Sequence, residues 1–238
     1  MEMDTPTSKE TYVENLFNSI APTYDVLNSI LSFGLHKRWR VFAAKQCNLS
    51  AGKSALDVCA GTLDLAIELA KIVGKSGSVV AVDFSRNMLE VGLKKLAKQK
   101  VENILPVEAN AENLPFRSSS FHAVTIGFGL RNVGNIEKTL AELARVVERG
   151  GRVVVLEFAK PNSLVLRGLY FVYLNLLLPF IGRIIHGNKE PYTYLSKSIQ
   201  SFCSRQELIG VMKKIGLKNV DVYDLAGGAV AVYVGIKK

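Results

Sequence analysis

Four residues stand where this chain could do chemistry: Gly61, Asp83, Asn110 and Arg131. Gly61 lies in SALDVCAGTLDLA, Ser54 to Ala66. There an apolar run ending in small residues gives way, from Thr62, to helical spacing, with Leu65, Leu69 and Ile72 on one face. The pattern reads as strand, tight turn and helix. Ala60 and Gly61 let a ligand approach the backbone. The helix start presents free N–H groups, a partly positive end suited to a carboxylate or phosphate. Asp83 ends a second strand, SVVAVD, 22 residues after Gly61, the distance at which an acid meets ribose hydroxyls. A nucleoside-containing ligand is the first hypothesis. A plain strand–turn–helix beside a surface acid is the alternative.

The glycines narrow the ligand. A dinucleotide site needs G-x-G-x-x-G, because the pyrophosphate presses on the turn. Here Gly61 stands alone among Cys59, Ala60, Thr62 and Leu63, and nothing leaves room for a pyrophosphate. S-adenosylmethionine offers a carboxylate and a ribose without phosphate, and needs less clearance.

The elements that must hold these residues alternate strand and helix from Ser54 onward. That implies a parallel sheet covered on both faces. A helix runs from Ser85, its N-cap, to about Lys98. A third strand spans Ile104–Ala109 and a fourth Phe121–Phe128. A helix over Ile136–Val147 follows, then a turn at Arg149-Gly150-Gly151, then a fifth strand over Arg152–Phe158. Ligands sit beyond the carboxyl ends of such strands, which is where Gly61, Asp83, Asn110 and Arg131 fall. Arg205–Ile215 reads as helix. Val220–Leu225 and Ala229–Ile236 read as antiparallel strands joined through Gly227-Gly228.

Two segments stand outside the alternation. Residues 8–20 form an amphipathic helix, and Ile20 to Arg40 mixes Tyr24, Asp25, Asn28, His36 and Trp39 with apolar residues. Residues 162–200 contain LYFVYLNLLLPF, Leu169 to Phe180, which is apolar all round and too short to span a bilayer. Arg167, Arg183, His186, Lys189 and Lys197 surround it. It fits either a buried cover or dimer contact, or a surface that meets a membrane or a greasy substrate.

Composition sets outer bounds. The chain has 238 residues, 48% hydrophobic and 21% charged, enough for a globular α/β domain with additions. Cys47, Cys59 and Cys203 suggest neither a disulfide framework nor a zinc site, and His36, His122 and His186 lack ligand spacing. No metal is expected, and a cytoplasmic setting is the default. The start, MEMDTPTSKE, does not read as a signal peptide. The net charge of +9 is compatible with nucleic acid, an anionic membrane surface or simple solubility.

Taken together, YDVLNSILSFGLHKRWR, LDVCAGT, VDFSRNML, NAENLPF, IGFGLRNV, RVVERGGRVVVLEF and GGAVAVYVGIK resemble, in order, the ubiquinone/menaquinone biosynthesis C-methyltransferases. These are class I S-adenosylmethionine methyltransferases. The resemblance covers almost the whole chain, and GLHKRWR and FGLRNV are its most specific parts. It implies a doubly wound, mostly parallel seven-stranded Rossmann-like α/β sheet with an antiparallel C-terminal hairpin and helical additions. It implies one domain over 1–238, with a helical cover over 1–50 and an insertion over 162–200 above the substrate site. The implied reaction is methylation of a ring carbon of a prenylated quinol precursor. Arg131, a fixed fork of donors, would favour the phenolate, and Tyr24 would bond a ring oxygen. Asn132 would orient Arg131 or cap the next helix. By motif position, Gly61 and Thr62 would meet the methionine portion, Asp83 the ribose, and Asn110 and Ala111 the adenine edge. Glu112 and His36 receive no role, and His122 a structural one. Leu63 replaces the third loop glycine of many class I enzymes. Its side chain either crowds the cofactor or packs beneath the helix. The expected partners are the quinol, a membrane surface touched peripherally at the inner face, and a second copy of the chain; nucleic acid is not expected. An RNA methyltransferase is the first competing reading, although GFGLRN replaces the N/D-P-P-Y pattern of amino-methylating enzymes. A non-catalytic cofactor-binding protein is the second.

Overall fold

The computed structural model describes residues 8–177 and 190–238. Arg183, His186 and Lys189, and the end of the apolar stretch from Leu178 to Phe180, lie outside them. Seven strands form one sheet: β1 (Ser54–Val58), β2 (Ser78–Asp83), β3 (Ile104–Glu108), β4 (Phe121–Gly127), β5 (Val147–Phe158), β6 (Leu217–Leu225) and β7 (Val230–Lys237). Their spatial order is β3-β2-β1-β4-β5-β7-β6. All neighbours from β3 to β5 run parallel, and β7 is antiparallel to both β5 and β6. The order reverses direction at β1, so β1 and β4 part their following loops and open a crevice there.

Strand side chains alternate between two cores. Ala55, Val79, Ala123 and Val154 pack under α4 (Asp64–Val73), whose Leu65, Leu69 and Val73 are buried. Leu56, Val58, Val124 and Ile126 pack on the other face, under Leu140 and Leu143 of α6 (Ile136–Val146) and Leu208 and Met212 of α9 (Arg205–Lys214). Helix starts are set locally. Ser85 Oγ accepts the Met88 N–H at the start of α5 (Arg86–Gln99), and Asn135 caps α6 through the Lys138 N–H. Asn135, not Asn132, therefore caps α6. Ser204 and Glu207 close a capping box on α9.

The expected turn at Arg149-Gly150-Gly151 is absent. Those residues continue β5, with a register shift between Phe121 and Ala123 and Gly150 at φ +79°. Two glycines that signal a turn here supply a bulge instead.

The N-terminal cover consists of α1 (Ser8–Ile20), α2 (Tyr24–Leu31) and α3 (Leu35–Gln46). Beyond β5, α7 (Leu164–Val172) runs into a π-helical turn over Tyr173–Leu177, and α8 spans Glu190–Ser201. Leu27 of α2, Leu174, and Tyr192 and Ile199 of α8 form a separate small core. It joins the cover to the described part of the 162–200 insertion, while the end of α3 runs down beside β5, where the Gln46 carbonyl accepts from Arg152.

Candidate active site

The turn after β1 is shaped by its backbone. Cys59, Gly61 and Leu63 all have positive φ, at +53°, +55° and +69°. Leu63, left-handed, precedes α4, and its side chain is fully buried. A Cβ on Gly92 of α5 would lie 2.4 Å from Leu63 Cγ, so Leu63 packs beneath the loop against α5. It does not crowd the ligand side.

Asp83, at the end of β2, closes the turn. One carboxylate oxygen accepts the Gly61 N–H at 2.7 Å and the other the Ser85 N–H at 2.9 Å. Burial pushes its pKa up to about 6, against the pull of the backbone N–H groups of Ser85, Gly61 and Phe84. Cys59, Gly61, Asp83 and Phe84 wall a cavity of about 470 Å³, which Asn110, Ala111, Glu112, Met88 and Gly129 also line. Asn110 Oδ1 accepts the Glu112 N–H, and Glu112 Oε1 in turn accepts the Asn135 N–H. Val13, Glu14 and Phe17 of α1 form its roof. The cavity offers what an aminoacyl nucleoside needs: a buried carboxylate with unused lone pairs and small residues at the turn.

Thr62 is turned away from that cavity. Its Oγ1 donates to Asp25 Oδ1 at 2.6 Å and accepts from Lys95 Nζ at 3.2 Å. Lys95 also pairs with Asp25 and with Asp64. The cover is thereby pinned to the loop by a hydroxyl–carboxylate bond between residues 37 apart in sequence, with Lys95 bridging the acids.

A second cavity, of about 150 Å³, lies between the cover and the insertion. Its lining is chiefly apolar and aromatic, with Leu27, Leu31, Phe158, Tyr173 and Leu174 prominent. Phe17, Tyr24 and Phe128 border both cavities. Arg131 lines the second one. Its side chain is 5% exposed, and Nη1 bonds Glu157 Oε1 at 2.8 Å and the Phe128 carbonyl. Its guanidinium stands 5.1 Å over the Phe158 ring, and Phe158 lies 4.7 Å from Phe128. Glu157 is fully buried and also accepts the Arg131 and Phe158 N–H groups. Asn132 accepts from Tyr194 at 3.1 Å and reaches the Phe128 carbonyl.

Sequence reading missed Glu157, the roof and the tyrosines of the insertion. Glu157 did carry a signal: it is the lone acid in RVVVLEF, at the carboxyl end of a buried strand. His36 lines the second cavity but is fully engaged. Arg40 bonds its Nδ1 and Ser29 Oγ lies 3.1 Å from Nε2; burial, then Arg40, lowers its pKa to about 4, so it is neutral. His122 bonds the Ser54 N–H at the amino end of β1, remote from both cavities.

The ubiE/COQ5 methyltransferase family model matches residues 5–237. The chain belongs to the ubiE/COQ5 methyltransferase family. It is 42% identical over 231 residues to the demethylmenaquinone methyltransferase of Halalkalibacterium halodurans, covering 97% of this chain and 94% of that one. It is 42% identical over 230 residues to the enzyme of that name from Bacillus subtilis, covering 97% and 99%. Among solved structures, an S-adenosylmethionine-dependent methyltransferase from Aquifex aeolicus superposes with a TM-score of 0.60 at 18% identity, over 82% of this chain and 87% of that one. The [4+2]-cyclase SpnF superposes at 0.70 with 15% identity, over 100% and 99%. At such identities the likeness concerns the fold alone. Family membership makes the chain an enzyme that transfers methyl groups, with S-adenosylmethionine as donor.

Proposed function

We propose that the enzyme methylates a ring carbon of a prenylated quinol precursor, converting a demethylmenaquinol to a menaquinol or acting on the equivalent ubiquinol precursor. The names of the relatives support the first acceptor. The observation that carries the reading is the pair of cavities. One is mixed and holds Asp83; the other is apolar and holds Arg131; they meet at Phe17, Tyr24 and Phe128.

S-adenosylmethionine, when bound, supplies an electrophilic methyl, which bonds to the ring carbon as the carbon–sulfur bond breaks to a thioether and the ring hydrogen leaves as a proton. The protein's part is to hold, to exclude water and to favour the phenolate. In this reading Asp83 receives the ribose hydroxyls, Gly61 and the loop held from behind by Thr62 take the methionine portion, and Asn110 and Ala111 flank the adenine. Tyr24, on the shared wall, meets a ring oxygen. Arg131 uses one nitrogen on Glu157 and keeps donors for the phenolate. Aromatic walls around it strengthen that attraction by excluding water. Residues 1–50 act as the roof of one catalytic domain spanning 1–238, and 162–200 as its acceptor-side wall.

The direct test supplies labelled donor with a short-chain demethylmenaquinol and, separately, bulk RNA. Label is expected in the quinol. Label in RNA alone would favour nucleic-acid methylation, and label in neither would favour a binding role.

Cofactor affinity carries a pH signature. Ribose hydroxyls donate to ionised Asp83, so binding favours the charged form and pulls its pKa below the free value of about 6. Affinity is therefore full above pH 6. It weakens as pH falls through 6, by up to about tenfold per unit. Titration calorimetry at pH 5 and 7 checks this; equal affinities would detach Asp83 from the ribose.

The prenyl tail calls for a lipid-facing surface, and α7 offers one. It has no buried side chain; its Leu164, Val165, Leu169 and Val172 are exposed, as is Leu176 on the π-helical turn that follows. Phe33, 85% exposed, lies between α2 and α3 beside the exposed Lys37 and Arg38. The Tyr173 hydroxyl donates to the Leu31 carbonyl, tying the two segments together. This face is read as the contact with an anionic bilayer, at the mouth of the acceptor cavity. Leu169→Ser with Leu176→Ser should raise KM for a long-tailed quinol by roughly tenfold and leave a tail-less one alone. Equal damage to both, with a halved solution mass, would make the face a homodimer contact instead.

A further inference from the structure

Three buried polar atoms without a partner among the described residues belong to side chains that line one cavity. They are Arg131 Nε, the Tyr170 hydroxyl and the Tyr192 hydroxyl, and all three residues line the apolar acceptor chamber. Buried polar groups are normally satisfied, so three orphans on one wall call for an explanation. The other insertion tyrosines on this wall are satisfied: Tyr173 bonds the Leu31 carbonyl and Tyr194 bonds Asn132.

Tyr170 is also oriented against habit. A tyrosine at a surface normally buries its ring and shows its hydroxyl to water. On α7, where the apolar side chains face outward, the Tyr170 ring is half-buried and its hydroxyl is the buried end. Tyr192, on α8, is almost wholly enclosed. Both pack in the small core that includes Phe158, the ring over which Arg131 stands.

We infer that the Tyr170 and Tyr192 hydroxyls, with the Nε–H of Arg131, form a hydrogen-bonding seat for a ring oxygen of the acceptor and select hydroxylated rings over bare ones. This rests on the quinol reading above. Burial raises the pKa of both tyrosines, so they stay protonated and can donate. Arg131 Nε can only donate. Three donors given to one oxygen would favour its ionised form, and two of them come from the insertion. The insertion thus contributes specificity as well as an outer wall.

The test uses the full chain saturated with S-adenosylhomocysteine and two probes of like shape, 1-naphthol and 1-methylnaphthalene. The unmodified protein should prefer the naphthol by tenfold or more. Tyr170→Phe and Tyr192→Phe should each lower naphthol affinity by about tenfold, leave methylnaphthalene unchanged and leave cofactor affinity unchanged. Each variant should also unfold at a higher temperature in the ligand-free state, because a buried unsatisfied hydroxyl has gone. Weaker naphthol binding in a stabler protein is a combination that mere packing does not produce. Equal affinity of the unmodified protein for the two probes, or unchanged naphthol affinity in both variants, overturns the inference. Its failure is separable from that of the reaction. A protein that discriminates the probes but does not methylate a demethylmenaquinol loses the reaction and keeps the seat. One that methylates while both variants bind naphthol normally loses only the seat.

Discussion

Glu157→Gln is expected to destabilise the fold by about 3–5 kcal/mol, the usual cost of stranding one member of a buried ion pair. Glu157 is wholly enclosed and Arg131 nearly so, 2.8 Å apart. Glutamine keeps the shape and one acceptor oxygen, but Arg131 is then a buried cation without a counterion. Its charge cannot be relieved by losing a proton, since guanidinium stays ionised. The carboxylate also accepts two backbone N–H groups, from Arg131 and Phe158, so the loop after β4 loosens with it. Urea unfolding should show the midpoint falling sharply at constant slope. Adding Arg131→Met should restore much of the loss, because the pair is then replaced by apolar packing. A single variant as stable as the parent would mean that Arg131 finds compensation elsewhere, and its role toward a phenolate would need another electrostatic basis. Turnover should be lost in the double variant whatever its stability.

Asp83→Ala should abolish useful cofactor affinity. Charge-assisted hydrogen bonds contribute about 1.5–3 kcal/mol each, so losing one to the ribose weakens binding by roughly ten- to a hundredfold. The alanine does further damage. It removes the acceptor for the Gly61 and Ser85 N–H groups, leaving the β1 turn and the start of α5 without their common anchor. Asp83→Asn separates the two effects. An amide oxygen keeps one acceptor for the loop, while the charge is gone. Calorimetry on folded variants should therefore rank parent, asparagine, alanine. An alanine variant that binds as tightly as the parent would remove Asp83 from the site and confine it to holding the turn.

These two residues mark how far sequence carried the reading. Asp83 was legible because a periodic apolar strand delivers it a fixed distance after Gly61, and strand, turn and helix are local events. β2 falls on its expected residues for the same reason. Glu157 was not legible as a partner of Arg131, since that pairing is made across two parallel strands and their loops. Thr62 shows the same limit: its side chain answers to Asp25, on a helix no local pattern attaches to the loop. Gly150 and Gly151 misled because a glycine pair serves a bulge as readily as a turn. For the insertion, an all-round apolar stretch fixed neither its exposed face nor the inward hydroxyl of Tyr170.

The fit between Leu63 and Gly92 has a consequence for how such loops are compared. Many class I enzymes keep the third glycine in the loop. In this chain the room is made on the opposite helix, where Gly92 leaves space for a leucine that fills the core beneath the turn. The glycine that makes the room stands across the interface, on α5. Sites 63 and 92 are therefore one volume divided between two positions, and neither can be exchanged alone. An alanine at 92 would drive its Cβ into Leu63, while a glycine at 63 would open a void beside α5. Scored by the loop motif alone, Leu63 would count as decay, when its side chain fills the core beneath the turn and lines neither cavity.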